Sequence, residues 1–259
     1  MDQWRGKLAV VTGASSGIGE ALSIALVQHG VNVVGLARRL ENMKKLAVQT
    51  KNAKGTFHPI ACDLTKEEDI LKAFKLIEEL GGADILVNNA GTGYNLPITE
   101  SPTAKLRTIL ELNLLAVAIC AREAVQSFKK RKTGGHIINI NSVLGHNAQL
   151  APTPASIYEA SKTGLIAMAE TLRREVFELK LPIKITNLSP GLVNTNLEFL
   201  KEAGFIKQME KLPHLETKDV VEAIIYTLST APNVNIIELT IAAVHADIVP
   251  YQFPYKGVV

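Results

Sequence analysis

The sequence predicts an α/β protein with one doubly wound, seven-stranded parallel sheet and helices on both of its faces. Short runs rich in Val and Ile alternate with longer stretches whose apolar residues recur every three or four positions. The Val and Ile runs are continuous, which is typical of strands that are covered on both faces. No linker, repeat or low-complexity segment interrupts this pattern, so we expect a single domain over residues 1–259.

Each element follows from the pattern in chain order. The expected strands are the runs 7–12 ("KLAVVT"), 31–37 ("VNVVGLA"), 56–61 ("TFHPIA"), 84–89 ("DILVNN"), 135–142 ("GHIININS"), 183–189 ("IKITNLS") and 234–241 ("VNIIELTI"). The expected helices are the stretches with helical spacing at 17–29, 41–52, 66–80, 103–131, 155–180 and 217–229. The irregular segments 143–154 and 191–216 follow strands, so we expect them at the carboxyl edge, where open α/β sheets bind ligands.

Composition and charge argue against several classes of function. The net charge is only +3, and the basic residues are scattered without interleaved aromatics, so nucleic acid is not an expected partner. The apolar run "LNLLAVAICA" is about half a membrane span, and the N-terminus lacks a signal-peptide pattern. Cys62 and Cys120 lie in apolar runs, which fits buried thiols in a reducing compartment. We expect a cytoplasmic protein without a metal site, since no H-x-x-H or C-x-x-C spacing occurs.

A glycine-rich turn, "TGASSGIG" at 12–19, lies between the first strand and the first helix. Gly13 permits a tight turn, Gly17 lets the backbone approach a phosphate, and Gly19 permits close packing of helix on strand. The free N–H groups at the helix start then favour a pyrophosphate. The spacing is one residue longer than the standard dinucleotide pattern, and a turn with a purely structural role is the alternative.

The end of the second strand carries the signal for cofactor choice. About 20 residues after such a glycine turn, dinucleotide-binding folds place an acid that bonds the adenosine ribose. Here Ala37 occupies that position, so nothing repels a 2′-phosphate, and Arg38 offers a donor fork suited to phosphate oxygens. Arg39 could share this contact or stack over adenine. We therefore predict NADP rather than NAD, the alternative being two surface arginines at a helix start.

Tyr158 and Lys162 form the predicted acid-base pair. They are four residues apart on an expected helix and therefore share one face. A nearby ammonium lowers the pKa of a tyrosine from its usual value of about 10. Tyr158 would then donate a proton to a carbonyl or accept one from an alcohol. A chance pair is the alternative, but Tyr158 is the only tyrosine with Lys or Arg four positions later.

These motifs, together with "NNAG" at 88–91, Asn113, Ser142 and "YEASK" at 158–162, resemble the short-chain dehydrogenase/reductase family. The resemblance covers essentially the whole chain, in the order typical of the family, and implies a Rossmann fold. The opening of the chain and the string "GHIININS" resemble a narrower branch, which includes insect farnesol dehydrogenases and dehydrogenase/reductase family member 11. The resemblance therefore implies an oxidoreductase.

The resemblance also implies a catalytic set of Asn113, Ser142, Tyr158 and Lys162. Ser142 would hydrogen-bond the substrate oxygen and help to stabilise developing charge. Lys162 would also bond the nicotinamide ribose, and Asn113 would hold the water that links Lys162 to solvent. Without the resemblance, Ser142 would be interpreted as a turn residue and Asn113 as a satisfied core amide.

The resemblance also implies cofactor contacts in several further segments of the chain. Asp63 would accept a hydrogen bond from the adenine amino group, and the residues that follow the sixth strand would hold the nicotinamide carboxamide. The full predicted NADP-binding set is Gly13, Ser15, Ser16, Gly17, Ile18, Gly19, Arg38, Arg39, Asp63, Leu64, Asn89, Ala90, Gly91, Tyr158, Lys162, Pro190, Gly191, Val193 and Thr195.

The predicted function is the NADP(H)-dependent interconversion of an apolar alcohol and its aldehyde or ketone. The segment 191–216 is rich in apolar residues and suits a lid over an apolar substrate. The branch points to a terpenoid alcohol such as farnesol. The alternatives are a ketosteroid or dicarbonyl reductase, a dinucleotide-binding protein without catalysis, and an epimerase or dehydratase acting on a nucleotide-linked substrate.

Two further expectations concern assembly and the C-terminus. The expected helices 103–131 and 155–180 carry apolar residues on more than one face, and in the family they pair across a two-fold axis. We therefore expect a homodimer or homotetramer. The tail 243–259 contains alternating aromatic residues and prolines, so we expect it to be extended and to pack near the lid. A frayed terminus is the alternative.

Overall fold

A computed structural model describes residues 1–151, 154–195 and 212–246. Within them, the strands are β1 (Leu8–Thr12), β2 (Asn32–Ala37), β3 (Phe57–Ala61), β4 (Ile85–Asn88), β5 (Gly135–Ile140), β6 (Ile183–Pro190), β7 (Val193–Asn194), β8 (Leu215–Glu216) and β9 (Glu238–Ile241). The helices are α1 (Gly17–Gln28), α2 (Leu40–Gln49), α3 (Glu67–Glu79), α4 (Thr103–Leu110), α5 (Ala116–Arg131), α6 (Tyr158–Glu178) and α7 (Thr217–Ser229). The predicted lid, 191–216, and tail, 243–259, fall mostly outside the described residues.

The main sheet has seven parallel strands in the order β3-β2-β1-β4-β5-β6-β9. The two short strands β7 and β8 pair with each other beside it. The predicted doubly wound, seven-stranded sheet is therefore confirmed. The strand order reverses between β1 and β4, and this switch point opens a crevice at the carboxyl ends of the strands.

The core is divided between the two faces of the sheet. One cluster of buried side chains packs α1, α2 and α7 against one face, and the other packs α3, α5 and α6 against the opposite face. The neighbouring residues Val33 and Val34 belong to different clusters, and both are fully buried. Strands of this kind are apolar at every position, which explains why the sequence shows continuous apolar runs.

Several predicted elements have other bounds than the observed ones, and for three of them the structure shows the cause. The helix expected over 103–131 is divided by a π-helical turn, Glu111–Leu115, that contains Asn113. Helix α6 begins at 158 rather than 155, because Ser156 has a positive φ of 59° that a right-handed helix cannot include. Strand β9 begins at 238 rather than 234, because the N–H of Val234 bonds Ala231 in the turn after α7.

Three further expectations from the sequence concern membrane-spanning helices, the two thiols and metal sites, and the structure can be compared with them over the described residues. None of their helices has the length and apolar character that crossing a bilayer requires. Cys62 and Cys120 are both buried and unpaired, as expected. In the same part of the chain, no group of His, Cys, Asp and Glu side chains is arranged to hold a metal ion.

Candidate active site

A cavity of about 700 Å³ runs along the carboxyl edge of the sheet. Its volume lies within the range of about 300–1,000 Å³ that is usual for small-molecule and cofactor sites. All the predicted site residues except Gly19 and Asn113 line this cavity. The fold therefore brings together, at one edge, segments that lie far apart in the sequence.

The glycine turn lines the cavity at the start of α1. Gly13 and Gly17 have positive φ values of 69° and 59°, which glycine adopts without strain. A side chain at Gly19 would clash with the carbonyl oxygen of Gly13 and lie 2.5 Å from Asn89 Nδ2. The missing side chain lets α1 begin close to the turn, so its free N–H groups face the cavity.

Thr12, a residue that the sequence analysis missed, ties this turn to the end of β4. Its hydroxyl oxygen accepts hydrogen bonds from the N–H groups of Asn89 (2.9 Å) and Ala90 (3.0 Å). Asn89 Nδ2 in turn donates to the carbonyl oxygen of Thr12 at 2.8 Å. The two predicted cofactor-contacting segments are thus joined by hydrogen bonds. The signal in the sequence is a buried threonine at the end of an apolar strand.

The two arginines lie at the same end of the cavity but in different surroundings. Arg39 Nη2 donates to Ser16 Oγ at 2.7 Å, and its Nε donates to Ser15 Oγ at 3.3 Å. Arg38 lies near Asp63. Partial burial acts to raise the pKa of Asp63, but hydrogen bonds from Thr65 and the charges of Arg38 and Lys66 hold it below its usual value. This end of the cavity therefore presents two guanidinium groups and two serine hydroxyls.

The predicted acid-base pair lies in the first turns of α6. Lys162 Nζ is 5.6 Å from the centroid of the Tyr158 ring and donates to the carbonyl oxygen of Ile140 at 2.8 Å. Tyr158 is hydrogen-bonded to Ser142, whose hydroxyl oxygen also accepts from Leu144 N at 3.2 Å. The structure therefore brings Ser142, Tyr158 and Lys162 together around one point of the cavity wall.

The pKa values of this pair differ from the expectation. Burial raises the pKa of Tyr158 to about 12, against the opposing effect of its hydrogen bond with Ser142. Burial lowers the pKa of Lys162 to about 8. The expected lowering of the tyrosine pKa by Lys162 is therefore wrong for this arrangement. The reason is that desolvation dominates at Tyr158, while the ammonium is directed towards the Ile140 carbonyl.

Asn113 lies behind the cavity wall and is 1% exposed. Its Oδ1 accepts from Thr92 N at 2.8 Å, and its Nδ2 donates to the Thr92 carbonyl at 2.8 Å and to Ser161 Oγ at 3.1 Å. A Cβ at Gly91 would be 3.4 Å from Asn113 Oδ1 and 3.8 Å from Lys162 Nζ. Asn113 thus connects the segment after β4 to α6.

Unpartnered polar atoms in the cavity wall test whether the site fits a dinucleotide. Thr195 Oγ1 and both side-chain amide atoms of Asn141 are buried and lack a hydrogen-bond partner among the described residues. Both residues line the cavity, and Thr195 lies against Gly17, 3.8 Å from the position of a Cβ there. Buried polar groups are normally hydrogen-bonded, so these atoms fit a polar ligand such as a dinucleotide. Asn141 is not among the site residues predicted from the sequence.

The sequence of this chain matches one known family over most of its length. The family model described as short chain dehydrogenase matches residues 7–203. The chain belongs to the short-chain dehydrogenase family. This confirms the family predicted from the glycine turn, "NNAG" and the Tyr158–Lys162 pair, and it makes the protein an oxidoreductase of that family.

Individual relatives are similar to this chain over nearly its full length. The chain is 43% identical over 249 residues to farnesol dehydrogenase of Aedes aegypti, covering 94% of this chain and 98% of that protein. It is 42% identical over 247 residues to human dehydrogenase/reductase SDR family member 11, covering 91% and 94% of the two chains. A solved alcohol dehydrogenase from the archaeon Thermococcus sibiricus, complexed with 5-hydroxy-NADP, matches with a TM-score of 0.78 at 26% identity, covering 91% and 95%.

Proposed function

We propose that this oxidoreductase uses NADP(H) to interconvert an apolar alcohol and its aldehyde or ketone. The observation that carries the proposal is the convergence of Ser142, Tyr158 and Lys162 at the wall of the cavity. All three types of side chain are needed for acid-base chemistry at a carbonyl oxygen: a hydrogen-bond donor, a proton donor and a cation. The catalytic set is completed by Asn113 behind the wall.

Each side chain has a definite task in the proposed reaction. When bound, the nicotinamide supplies the hydride to the carbonyl carbon or accepts it from the alcohol. The Ser142 hydroxyl orients the substrate oxygen, and Tyr158 donates a proton to that oxygen in reduction and accepts it in oxidation. Lys162, whose Nζ is 5.6 Å from the Tyr158 ring, would bond the nicotinamide ribose and take part in passing on the proton of Tyr158. Asn113 holds the water through which Lys162 exchanges protons with solvent.

The proposed cofactor is NADP rather than NAD. At the predicted ribose position the chain has Ala37, which carries no charge to repel a 2′-phosphate. Arg38 and Arg39 both line that end of the cavity, and the hydrogen bonds of Arg39 with Ser15 and Ser16 hold its guanidinium beside the glycine turn. Guanidinium groups bind phosphate oxygens through paired N–H donors, so this end favours the 2′-phosphate.

Cofactor choice is tested by the double substitution Ala37→Asp with Arg38→Leu. It removes one phosphate ligand and adds a repelling carboxylate, so we expect the ratio of kcat/KM for NADP to that for NAD to fall by about 10- to 100-fold. Arg5→Leu, which removes an exposed arginine outside the cavity, is the matched control and leaves the ratio unchanged. Equal use of NAD and NADP by the wild type contradicts the proposal.

An apolar substrate is supported by the remaining cavity wall. The side chains around the substrate end are largely aliphatic: Leu112, Val143, Leu144, Leu150, Ala151, Pro154, Leu192, Leu212 and Pro213. Among the described lining residues, Arg38, Arg39 and Asp63 cluster at the ribose end, and Lys162 stands beside Tyr158. No Lys, Arg, Asp or Glu of the described wall is thus left to bind a charged substrate. Together with the farnesol dehydrogenase relative, this favours a terpenoid alcohol such as farnesol.

The substrate class is tested by measuring NADP-dependent turnover of acyclic terpenols against ketosteroids and dicarbonyls with the wild type. We expect terpenols to give the highest kcat/KM. A higher value with ketosteroids or dicarbonyls would move the protein to the reductase alternative. Tight NADPH binding without turnover of any class would favour the dinucleotide-binding protein without catalysis, and would contradict the catalytic set.

The proposal also covers the number of domains, the oligomeric state and the cellular location of the protein. We propose one domain over the whole chain and a homodimer or homotetramer, in which α5 and α6 face a second copy. Phe177 on α6 is 79% exposed and Leu115 is 55% exposed, as expected for apolar residues that are covered on assembly. The unpaired thiols of Cys62 and Cys120 favour the cytoplasm.

A further inference from the structure

A polar cluster lies at the β6–β9 edge of the sheet, next to the cavity. His146 Nε2 is 3.1 Å from both Ser189 Oγ and Glu238 Oε1. The Ser189 hydroxyl donates to the same carboxylate oxygen. Because an ionised carboxylate only accepts hydrogen bonds, Nε2 of His146 carries the proton in this arrangement. Ser189 is fully buried, so its hydroxyl depends on these two partners.

A single helical turn connects this cluster to the predicted catalytic serine. Ser142 precedes the 3-10 turn Val143–Gly145, and His146 follows it. The turn is held by Gly145 N, which donates to the Ser142 carbonyl at 2.9 Å, and by His146 N, which donates to Val143 at 3.0 Å. The Ser142 hydroxyl oxygen accepts from Leu144 N within the same turn. The orientation of the Ser142 hydroxyl therefore depends on where this turn sits.

The opposite side of the turn is fixed to the catalytic helix. Thr163 Oγ1 donates to the Gly145 carbonyl at 2.9 Å. A Cβ at Gly145 would be only 3.0 Å from the backbone carbonyl of Lys162, so the turn touches α6 directly. The turn thus lies between α6 and the β6–β9 edge. On the α6 side it is held by the Thr163 hydroxyl and by contact with the Lys162 backbone, whereas its far end reaches the β6–β9 edge through the side chain of His146.

We propose that His146, held by Glu238 and Ser189, is a positioning residue that sets the Ser142 hydroxyl against Tyr158. The inference rests on the catalytic roles in the proposed function. His146 lines the cavity, but it acts through the turn rather than on the reacting atoms. When its imidazole is lost, the turn keeps its attachment to α6 and the bond from Asn141 N to the Leu188 carbonyl, but its far end loses the contact with Ser189 and Glu238, so the turn and the Ser142 hydroxyl shift relative to Tyr158. A misplacement of about 1 Å at a reacting centre costs up to about 100-fold in rate.

The kinetic test compares His146→Leu with His146→Gln, whose side-chain N–H can still reach the carboxylate. We expect kcat to fall by about tenfold or more in His146→Leu, with the Kd for NADPH unchanged, and to recover substantially in His146→Gln. Glu238→Ala is expected to lower kcat similarly, and the double variant to be no worse than either single one. His58→Leu is the matched control, because His58 Nε2 also bonds a side-chain oxygen, Thr56 Oγ1, but on the opposite edge strand, β3.

A second measurement does not require turnover. Amide hydrogen exchange of the peptide that contains residues 143–146 is expected to be faster in His146→Leu than in the wild type and unchanged in His58→Leu. If kcat in His146→Leu stays within about twofold of the wild type, or exchange in the turn is unchanged, His146 has no positioning role. If the wild type turns over no substrate, the proposed function fails, and the exchange experiment still decides whether His146 holds the turn.

Discussion

Replacing Lys162 by methionine should make the protein more stable at neutral pH while removing its activity. Lys162 is 5% exposed, and burial lowers its pKa from 10.5 to about 8. This lowering corresponds to about 3 kcal/mol of unfavourable free energy for the charged form in the folded state. The substitution also removes the hydrogen bond to Ile140, which contributes about 1.5 kcal/mol. The net gain in the free energy of unfolding is therefore on the order of 1–2 kcal/mol, or a few degrees in Tm.

The pH dependence of the free energy of unfolding provides a second, independent test of this prediction. The unfolded chain keeps the proton of Lys162 up to its ordinary pKa of 10.5, whereas the folded protein releases it at about 8. The unfolded state therefore binds more protons between these values, and the stability of the wild type rises with pH in that window. The advantage of Lys162→Met is full below the folded pKa and shrinks as the pH approaches 10.5.

Urea unfolding followed by circular dichroism, at about pH 7 and about pH 9.5, measures both effects. Lys75→Met on α3 is the control, because Lys75 is exposed and its loss should change stability little. The reasoning is refuted if Lys162→Met is no more stable than the wild type at neutral pH. It is refuted equally by an advantage that stays constant between the two pH values.

Three further predictions follow from the site and from the surface of α6. Tyr158→Phe should lower kcat by about 10²- to 10⁴-fold with NADPH binding unchanged, and a residual rate above about one hundredth would contradict the acid-base role. Gly19→Ala should weaken NADPH binding, measured by fluorescence titration, because the added methyl group meets Gly13 and Asn89; unchanged binding would show that the turn does not touch the cofactor. Phe177→Glu should shift the mass measured by light scattering towards the monomer, and an unchanged assembly would exclude this face of α6 as the contact.

The sheet and the family could be predicted from local patterns, for a physical reason. Parallel strands covered on both faces are apolar throughout, so the runs ending at Thr12, Ala37 and Asn88 were visible without any knowledge of their partners. The glycine turn could also be recognised from the sequence, because glycine adopts the positive φ of Gly13 without strain and leaves room for the close contact at Gly19. In each case the cause lies within a few residues of the signal.

Features that depend on distant partners could not be predicted in this way. The bond between His146 and Glu238 joins residues 92 positions apart, and the amide of Asn113 bonds Thr92 and Ser161 across three segments. Helical spacing continues through 103–131, so the π-helical turn at Asn113 leaves no trace in the hydrophobic pattern. The prediction of a lowered pKa for Tyr158 was wrong for a related reason. The sequence shows the nearby lysine, but it does not show the burial that raises the pKa of Tyr158.

A row of asparagines links the fold to the chemistry of the site. Asn88, Asn139 and Asn187 lie in register on β4, β5 and β6. Asn88 Nδ2 donates to Asn139 Oδ1 at 2.9 Å, and Asn139 Nδ2 donates to Asn187 Oδ1 at 3.1 Å. Buried amides are costly unless they are paired, and pairing across strands requires all three to lie at one level. Each apolar strand therefore carries a polar side chain at the same level, and the row favours this strand register at the carboxyl edge, where Ser142 and Lys162 lie.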